Sequence, residues 1–304
     1  MLQEILYWVF NMSLAAALAG GVVVAIRQAK RIPKRATVFL WLIPFCRMAV
    51  PVGLNSPYSL VALLTRVTAT SVAVYRPAEN AAVSMMNFAK AADTYFPITY
   101  KASALGAVFG AASVIWLTGF LAILLLLAVT YVITLRELKD AVHLRRNIYA
   151  SDKIVTPGVY GILQPKIVLP AARMAADTEL ILLHEAMHIR RKDNLWRVVG
   201  FLAVAVHWFN PLCWVFLKLF FEDLEMSCDE CVLGRLGKDR AKEYALSLLE
   251  SKQSATVFTS AFGGAKIRTR IEHILSFRKM TKVSLVVFIL LITTVAWLLL
   301  TNPG

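Results

Sequence analysis

The 304-residue chain has only four cysteines and a single CxxC motif. Cys46 and Cys213 lie in apolar runs, whereas Cys228 and Cys231 form the segment "CDEC". A zinc site built from two CxxC motifs is excluded because the second motif is missing. The flanks of "CDEC" have a helical pattern and the segment is expected in the reducing cytosol, which disfavours a redox pair.

The chain also lacks a basic cluster ahead of its first apolar run, which begins after Glu4. A secretory signal peptide would carry such a cluster, so the run is predicted to be a membrane span. The net charge is +14, yet the sequence has no helix-turn-helix segment and no interleaving of basic and aromatic residues. We therefore assign the charge to cytoplasmic loops and do not expect direct nucleic-acid binding.

Apolar sequence is present in excess: 58% of the residues are hydrophobic and the mean hydropathy is +0.63. Four runs are predicted as transmembrane helices, at about 5–26, 36–54, 104–135 and 283–300. Basic residues follow the first and third runs and precede the fourth, which places those ends in the cytoplasm. The prediction is a multi-pass membrane protein with both termini outside.

The runs divide the chain into three regions. Residues 1–135 hold three spans with an outside loop at 55–103, residues 136–281 form a cytosolic domain, and residues 282–304 form the fourth span with a short outside tail. The predicted fold is a mainly α membrane protein with an α+β cytosolic domain inserted between the third and fourth spans. Arg47 lies inside the second run, and we expect it to snorkel to the interface or to meet a carboxylate of a neighbouring helix.

The cytosolic domain begins with "IVTPGVYGILQPKIVLP" at 154–170, which predicts short strands separated by turns. An edge of these strands would suit an extended substrate. Further along, 196–221 is apolar enough to cross the membrane, but Asn210-Pro211 interrupts it and favours a hairpin of two helices. The alternative is a fifth span, which would put its two flanking segments on opposite sides.

The segment "LLHEAMHIRRKDNL" contains His184, Glu185 and His188 in an HExxH pattern. Positions four apart share a face of a helix, so the two imidazoles can bind one zinc ion. Glu185 is rotated by about 100° from His184 and can act as general base toward a water at the metal. This pattern predicts a metallopeptidase centre.

The later segment "EDLEMSCDE" places Glu225 and Asp229 four residues apart. A catalytic zinc ion needs a third protein ligand and an open position, and Glu225 is the predicted third ligand. Asp229 is predicted to accept the second N–H of a ligand histidine. The remaining acids of this segment, Glu222, Asp223 and Glu230, are expected on a solvated face.

Two further residues are weaker candidates for this centre. His207 would stabilise the oxyanion of a tetrahedral intermediate, although a buried core histidine or a helix cap is the simpler interpretation. Asp193 would orient a ligand histidine, or else pair with Arg190 or Lys192.

These segments resemble the membrane zinc metalloproteases of the BlaR/MecR sensor-transducer type. The resemblance runs from about Val38 to Met280 and rests on "LWLIPFCRMAVP", "PGVYGILQPKIVLP", "LLHEAMHIRRKDNL", "HWFNP", "EDLEMSCDECVL", "EYALSLLE" and "RIEHIL". It implies a gluzincin with zinc on His184, His188 and Glu225, Glu185 as catalytic residue and Asp229 in support. It also implies four spans in a bacterial cell membrane and a cytosolic zinc domain.

The resemblance further implies signalling by proteolysis. The expected partners are a cytosolic transcriptional repressor as substrate, membrane lipid and a second copy of the chain. In antibiotic-sensing members a penicillin-binding domain follows the fourth span outside the cell, whereas this sequence ends at Gly304. Either the chain is truncated, or it senses another signal through its outside loop or a partner.

Self-cleavage in such proteins maps near the segment "RIEHILSFRKMTK" at 270–282. We place the expected cut near Ser276 and Phe277, the alternative being an ordinary amphipathic interfacial helix. Two other functions stay open: a receptor or scaffold with a structural or vestigial metal site, and a processing protease of the CAAX type. A site-2-type protease is disfavoured because no Asp-Gly follows "FNPLCW".

Overall fold

A computed structural model describes residues 1–29, 32–59, 74–75, 83–86, 103–171, 178–252, 267–277 and 281–303. The helices are α1 (Leu2–Arg27), α2 (Lys34–Leu40), α3 (Leu42–Ala49), α4 (Ser103–Glu137), α5 (Thr178–Arg191), α6 (Asp193–Val206), α7 (Pro211–Leu236), α8 (Ala241–Lys252), α9 (Ile267–Leu275) and α10 (Lys282–Leu300). The strands are β1 (Val52–Ser56), β2 (Val74–Tyr75), β3 (Val83–Met86), β4 (Val142–Arg145), β5 (Ile148–Ser151), β6 (Gly158–Tyr160), β7 (Lys166–Pro170) and β8 (Asn302–Pro303).

Among the described residues, three helices are long and apolar enough to cross a membrane: Leu2–Arg27, Val108–Glu137 and Val283–Leu300. The second predicted span is instead divided into α2 and α3, which meet at Trp41. Pro44 explains the division, because it has no N–H for the carbonyl of Leu40 and its ring crowds that carbonyl. The described residues therefore do not contain four continuous membrane helices.

Arg47 lies on α3 and is only 4% exposed. Its guanidinium donates to the backbone oxygens of Leu299 and Thr301 and to the side-chain oxygen of Asn302. The expectation that Arg47 meets a carboxylate is therefore wrong. It binds the carbonyl groups that the end of α10 leaves without helical partners.

Most of the predicted outside loop at 55–103 lies outside the described residues. Its described strands form a sheet of order β2–β3–β1–β8, in which β1 runs parallel to β8. A second sheet has the order β4–β5–β7–β6, and only its β5–β7 pair is parallel. Strands β6 and β7 lie in the predicted strand segment, whereas β4 and β5 precede it.

Helix α7 belongs to two hydrophobic cores. Its first half packs with α1, α2, α3, α6 and α10 around Trp41, Phe216 and Phe220. Its second half packs with α5, α8 and α9 around Val232, Leu233 and Tyr244 in the second core. Helix α7 thus connects the apolar helices with the segment that carries the HExxH pattern.

Helices α6 and α7 form the predicted hairpin. The side chain of Asn210 accepts from the backbone N–H of Leu212, and Pro211 takes the first position of α7, where a missing N–H costs nothing. The far ends of the hairpin come together again, because Arg197 near the start of α6 contacts Glu225 on α7. A single crossing of the membrane by this segment is therefore wrong.

The solvated face predicted on α7 is also wrong. Asp223 is 0% and Glu230 is 4% exposed, because the connection from α1 to α2 covers them. Asp223 accepts from the side chains of Arg27, Lys34 and Trp41. Glu230 accepts from the backbone N–H groups of Lys34 and of the next residue, at the start of α2, and Glu222 pairs with Arg27.

Candidate metal centre

Helix α5 presents His184 and His188 on one face, as their four-residue spacing predicts. Both side chains are buried, and their Nε2 atoms lie 3.1 Å apart. Glu185 lies between them in sequence and is 8% exposed. Burial raises the pKa of Glu185, and the neighbouring charge of Glu225 adds to that effect.

Glu225 reaches both histidines from α7. Its Oε2 lies 3.8 Å from the Nε2 of His184, and its Oε1 lies 3.6 Å from the Nε2 of His188. Ligand atoms bound tetrahedrally to zinc at about 2.0–2.1 Å are separated by about 3.4 Å. The three side chains therefore have the spacing that one metal ion requires.

Asp193 fixes the ring of His188. Its Oδ2 lies 2.6 Å from the Nδ1 of His188, so the Nδ1–H donates and the Nε2 keeps a lone pair. Lys192 adopts a left-handed conformation (φ 57°) between α5 and α6, and this turn brings Asp193 back toward α5. Of the two roles considered for Asp193, the structure favours histidine orientation, with an added contact to Arg191.

Tyr244 connects His184 with Asp229. The hydroxyl of Tyr244 donates to Asp229 over 2.6 Å and lies 2.8 Å from the Nδ1 of His184. The Nδ1 of His184 therefore donates to Tyr244, and its Nε2 also keeps a lone pair. Asp229 supports this histidine mainly through Tyr244, since its own oxygen is 3.5 Å from the Nδ1.

The hydrogen bonds at the Nδ1 atoms of the two histidines indicate whether the centre suits a cation. With both Nδ1 atoms donating and both imidazoles neutral, the two Nε2 lone pairs lie 3.1 Å apart beside a carboxylate, and the guanidinium of Arg270 lies 3.3 Å from the Nε2 of His184. Such a group of acceptors favours a cation close to it. Two imidazoles and one carboxylate are also the ligand types of many catalytic zinc sites.

Arg270 on α9 is a site residue that the sequence analysis missed. It is 1% exposed, forms two hydrogen bonds to Asp229, and lies 3.0 Å from the Oε2 of Glu225. Burial alone would raise the pKa of Glu225, but neighbouring positive charges, among them those of Arg270 and Arg197, outweigh it and hold that pKa well below its usual range. Glu225 is therefore held ionised, as a metal ligand would have to be.

Two signals in the sequence point to these missed residues. Arg270 lies on the same helix face as Ile267, Ile271 and Ile274, and a charge inside an apolar stripe indicates a buried partner. Tyr244 lies within "EYALSLLE", whose apolar residues face the same core. A buried tyrosine hydroxyl needs a hydrogen-bond partner, and here it has two.

Cys228 is a competing third ligand. Its sulfur and the ring nitrogens of His184 and His188 all lie within 4.8 Å of one another. However, burial raises the pKa of the Cys228 thiol, and that thiol faces the backbone oxygen of His184 over 3.6 Å. We favour Glu225, because it is held ionised whereas the thiol is held protonated.

Three of the other candidate residues, His207, Ser276 and Phe277, lie outside the centre. His207 ends α6, about 20 Å from Asp193 along the helix, and donates to the backbone oxygen of Met48. Its expected role as an oxyanion donor has no support in this geometry. Ser276 is exposed beyond the end of α9, and Phe277 packs against the second core.

The edge strand β6 lies beside the centre. Asn194, the second residue of α6, donates to the backbone oxygens of Val159 and Gly161. Burial raises the pKa of Tyr160 on β6, and the charge of Glu185 adds to the rise, which places this side chain in the electrostatic range of the site. Strand β6 is thus the one described strand tied directly to a helix of the metal centre by a side chain.

Comparison with known proteins supports a peptidase origin for this arrangement. The regulatory protein BlaR1 of Bacillus licheniformis is 30% identical over 135 residues, which are 43% of this chain and 22% of that protein. The methicillin resistance mecR1 protein of Staphylococcus aureus is 27% identical over 143 residues, 43% of this chain and 24% of that protein. The matched segment is thus about a quarter or less of each relative.

The profile of the BlaR1 peptidase M56 family covers far more of the chain, matching residues 7–274. That range begins in α1 and ends in α9, so it includes the apolar helices α1 to α4, except the first residues of α1, as well as every side chain of the metal centre. The chain therefore belongs to the BlaR1 peptidase M56 family.

Proposed function

We propose that the chain is an integral membrane zinc endopeptidase that transmits a signal by proteolysis. The observation that carries this proposal is the convergence of His184, His188 and Glu225 beside the buried Glu185. The family and the names of its relatives support a signalling protease of the antibiotic-response type. The proposed substrates are the chain itself and a cytosolic transcriptional repressor.

Zinc bound at this centre would polarise the peptide carbonyl and activate the attacking water. Glu185 takes the proton of that water and delivers it to the leaving amine. Its burial favours this role, because a carboxylate with a raised pKa gives up its proton less readily and is a stronger base. Asp193 and Tyr244 hold the two imidazoles in the orientation that ligation needs.

Strand β6 is the proposed binding edge for an extended substrate. It ends the four-strand order of its sheet and lies beside α5 and α6, so a peptide added there would run past Glu185. Backbone hydrogen bonds would hold such a peptide with little dependence on its sequence. Side-chain selectivity would then come from the surroundings of the metal centre.

The proposed topology keeps both termini outside and the domain of residues 136–281 in the cytosol of a bacterium. Helices α1, α4 and α10 cross the membrane, and the α2–α3 pair serves as the remaining span. Arg27 pairs with Asp223 where α1 leaves the membrane, which is the side that the positive-inside rule assigns to the cytoplasm. A homodimer in the lipid bilayer is the proposed assembly.

Peptide mapping of wild type and Glu185→Gln tests the proposal. Both proteins are purified from membranes with zinc supplied, and a purified candidate repressor is added to each. We expect a cut near Ser276 and Phe277, or a cut in the repressor, in the wild type alone, with equal zinc in both proteins. Identical uncut peptides in both samples would contradict a peptidase function.

A further inference from the structure

The α6–α7 hairpin packs along α1 and contacts it at its tip, at its middle and at its base. At its tip, the amide of Asn210 donates to the hydroxyl of Ser13 over 2.8 Å. Midway, the ring of Phe216 lies so close to Gly20 that a Cβ there would come within 2.1 Å of it. At its base, Asp223 accepts from Arg27 over 2.8 Å.

The spacing of these contacts along α1 gives the depth that the hairpin reaches in the bilayer. Ser13 and Arg27 are 14 residues apart on α1, which is about 21 Å along a helix. The hydrocarbon core of a bilayer is about 30 Å thick, and α1 is one of the helices apolar enough to cross it. If Arg27 marks the cytosolic surface, the tip of the hairpin lies beyond the middle of the bilayer.

A second helix also places the tip inside an apolar segment. The indole of Trp208 donates to the backbone oxygen of Trp116, whose own indole donates to the backbone oxygen of Val206. Trp116 lies well inside the apolar segment Val108–Glu137 of α4, about 30 Å from its basic end. The tip is thus enclosed between two membrane helices.

The surface of the hairpin is apolar where it faces away from the protein. Leu195, Val199 and Leu202 on α6 and Leu212 and Val215 on α7 are 41–48% exposed. Between Arg197 and Lys218 the sequence contains no Asp, Glu, Lys or Arg. This face continues the exposed apolar surface of α4, so the same surroundings suit both.

The turn at the tip satisfies the condition for irregular backbone inside a membrane. Non-helical backbone is tolerated at that depth only where protein surrounds it and supplies its hydrogen bonds. His207 is 0% exposed and donates to Met48, while Asn210 binds both Ser13 and the N–H of Leu212. The backbone N–H groups of His207 and Asn210 also donate to backbone oxygens of the turn, whereas the Nδ1 of His207 is buried without a hydrogen-bond partner.

We propose that α6–α7 is a re-entrant hairpin that enters the bilayer from the cytosolic side, contacts lipid acyl chains and turns back within the bilayer, beyond its centre. The inference rests on the proposed membrane topology of α1 and α4. Glu225 lies two residues beyond Asp223, about 3 Å along α7, so the hairpin holds the metal centre at the membrane surface. The proposed substrates of the metal centre are therefore peptide segments that are held at the membrane surface.

Photocrosslinking along α7 tests the proposal. A benzoylphenylalanine replaces Val215 or Leu212 in the full chain within bacterial membranes, and lipid adducts of the tryptic peptides are quantified by mass spectrometry. Arg235 is the matched control, because it is exposed on the same helix about 30 Å from Val215. We expect at least about tenfold more lipid adduct at Val215 and Leu212, since hydrocarbon surrounds them and water surrounds Arg235.

Leu125 on α4, which is 66% exposed, separates the two possible failures. Lipid adducts at Leu125 with no more at Val215 and Leu212 than at Arg235 would overturn the re-entrant hairpin alone. A lack of adducts at all of these positions would overturn the hairpin together with the proposed membrane topology. Lipid adducts at Leu125, Leu212 and Val215 would support the re-entrant hairpin.

Discussion

Helix α7 buries carboxylates on two faces, and the two faces differ in the partners they meet. Toward α1 and α2, Asp223 and Glu230 accept from guanidinium, ammonium, indole and backbone N–H groups. Toward α5, Glu225 meets two imidazole Nε2 atoms in addition to Arg197 and Arg270. The first face is satisfied within the protein, whereas the second brings several acceptor atoms to one place.

This difference shows what distinguishes a metal centre from a structural ion-pair cluster. Burial and nearby arginines are common to both, since Arg27 serves one face and Arg270 the other. What is special to the α5 side is that other residues have already used the N–H groups of the histidines. The remaining lone pairs converge, which is the arrangement that two imidazole ligands of one cation would have.

The largest expected effect is that of Glu185→Gln on catalysis. Removing the general base should slow peptide cleavage by about 10²- to 10⁴-fold while zinc content and thermal unfolding stay unchanged. Quantitative mass spectrometry of the cleavage products, with zinc measured on the same samples, checks this. Loss of zinc in this variant would show that Glu185 is a ligand and not a base.

Asp223→Asn should act on the other face of α7. It leaves the buried charges of Arg27 and Lys34 poorly neutralised and should lower the free energy of unfolding in detergent by about 3 kcal/mol. Glu222→Gln is the matched control, because its side chain is 20% exposed and it should cost less than about 1 kcal/mol. Equal losses for both variants would contradict the buried-cluster account.

Tyr244→Phe should weaken metal binding with little effect on folding. Without the hydroxyl, His184 loses the acceptor for its Nδ1–H, and zinc affinity should fall by about 10- to 100-fold. Ser247→Ala, on the same helix and also buried, removes only a hydrogen bond to a backbone oxygen. Competition with a zinc chelator compares the two; unchanged affinity in Tyr244→Phe would contradict the role.

The smallest effect should come from Arg268→Ala. Arg268 and Arg270 are two residues apart on α9, yet the pair of Arg268 with Glu272 has side chains that are 88% and 64% exposed. Its loss should change the free energy of unfolding by no more than about 0.5 kcal/mol and leave zinc affinity unaltered. A chelator titration measures the zinc affinity, and thermal unfolding measures the stability. A change in zinc affinity would contradict the distinction between the exposed Arg268 and the buried Arg270.

The parts of the site that follow from local spacing were accessible from the sequence. The four-residue spacing of His184 with His188, and of Glu225 with Asp229, fixes which side chains share a helix face. Asn210-Pro211 marks the hairpin turn, because proline cannot continue a helix from before it. These patterns needed no knowledge of how the helices pack.

What the sequence left open depends on contacts between distant segments. The solvated face assigned to Asp223 and Glu230 failed because the α1–α2 connection, about 190 positions earlier, covers them. Tyr244 and Arg270 join the site from two helices whose arrangement no spacing specifies. The division of the second apolar run at Trp41 reflects Pro44, whose effect the hydrophobic pattern conceals.

Zinc per chain in wild type, Glu225→Gln, Asp223→Asn and Cys228→Ser tests the central claim most directly. We predict about one zinc ion in the wild type, clear loss in Glu225→Gln, and retention in the folded fractions of Asp223→Asn and Cys228→Ser. Zinc retained in Glu225→Gln but lost in Cys228→Ser would transfer the third ligand to Cys228. A zinc-free wild type, even after zinc is supplied, would contradict the metal centre altogether.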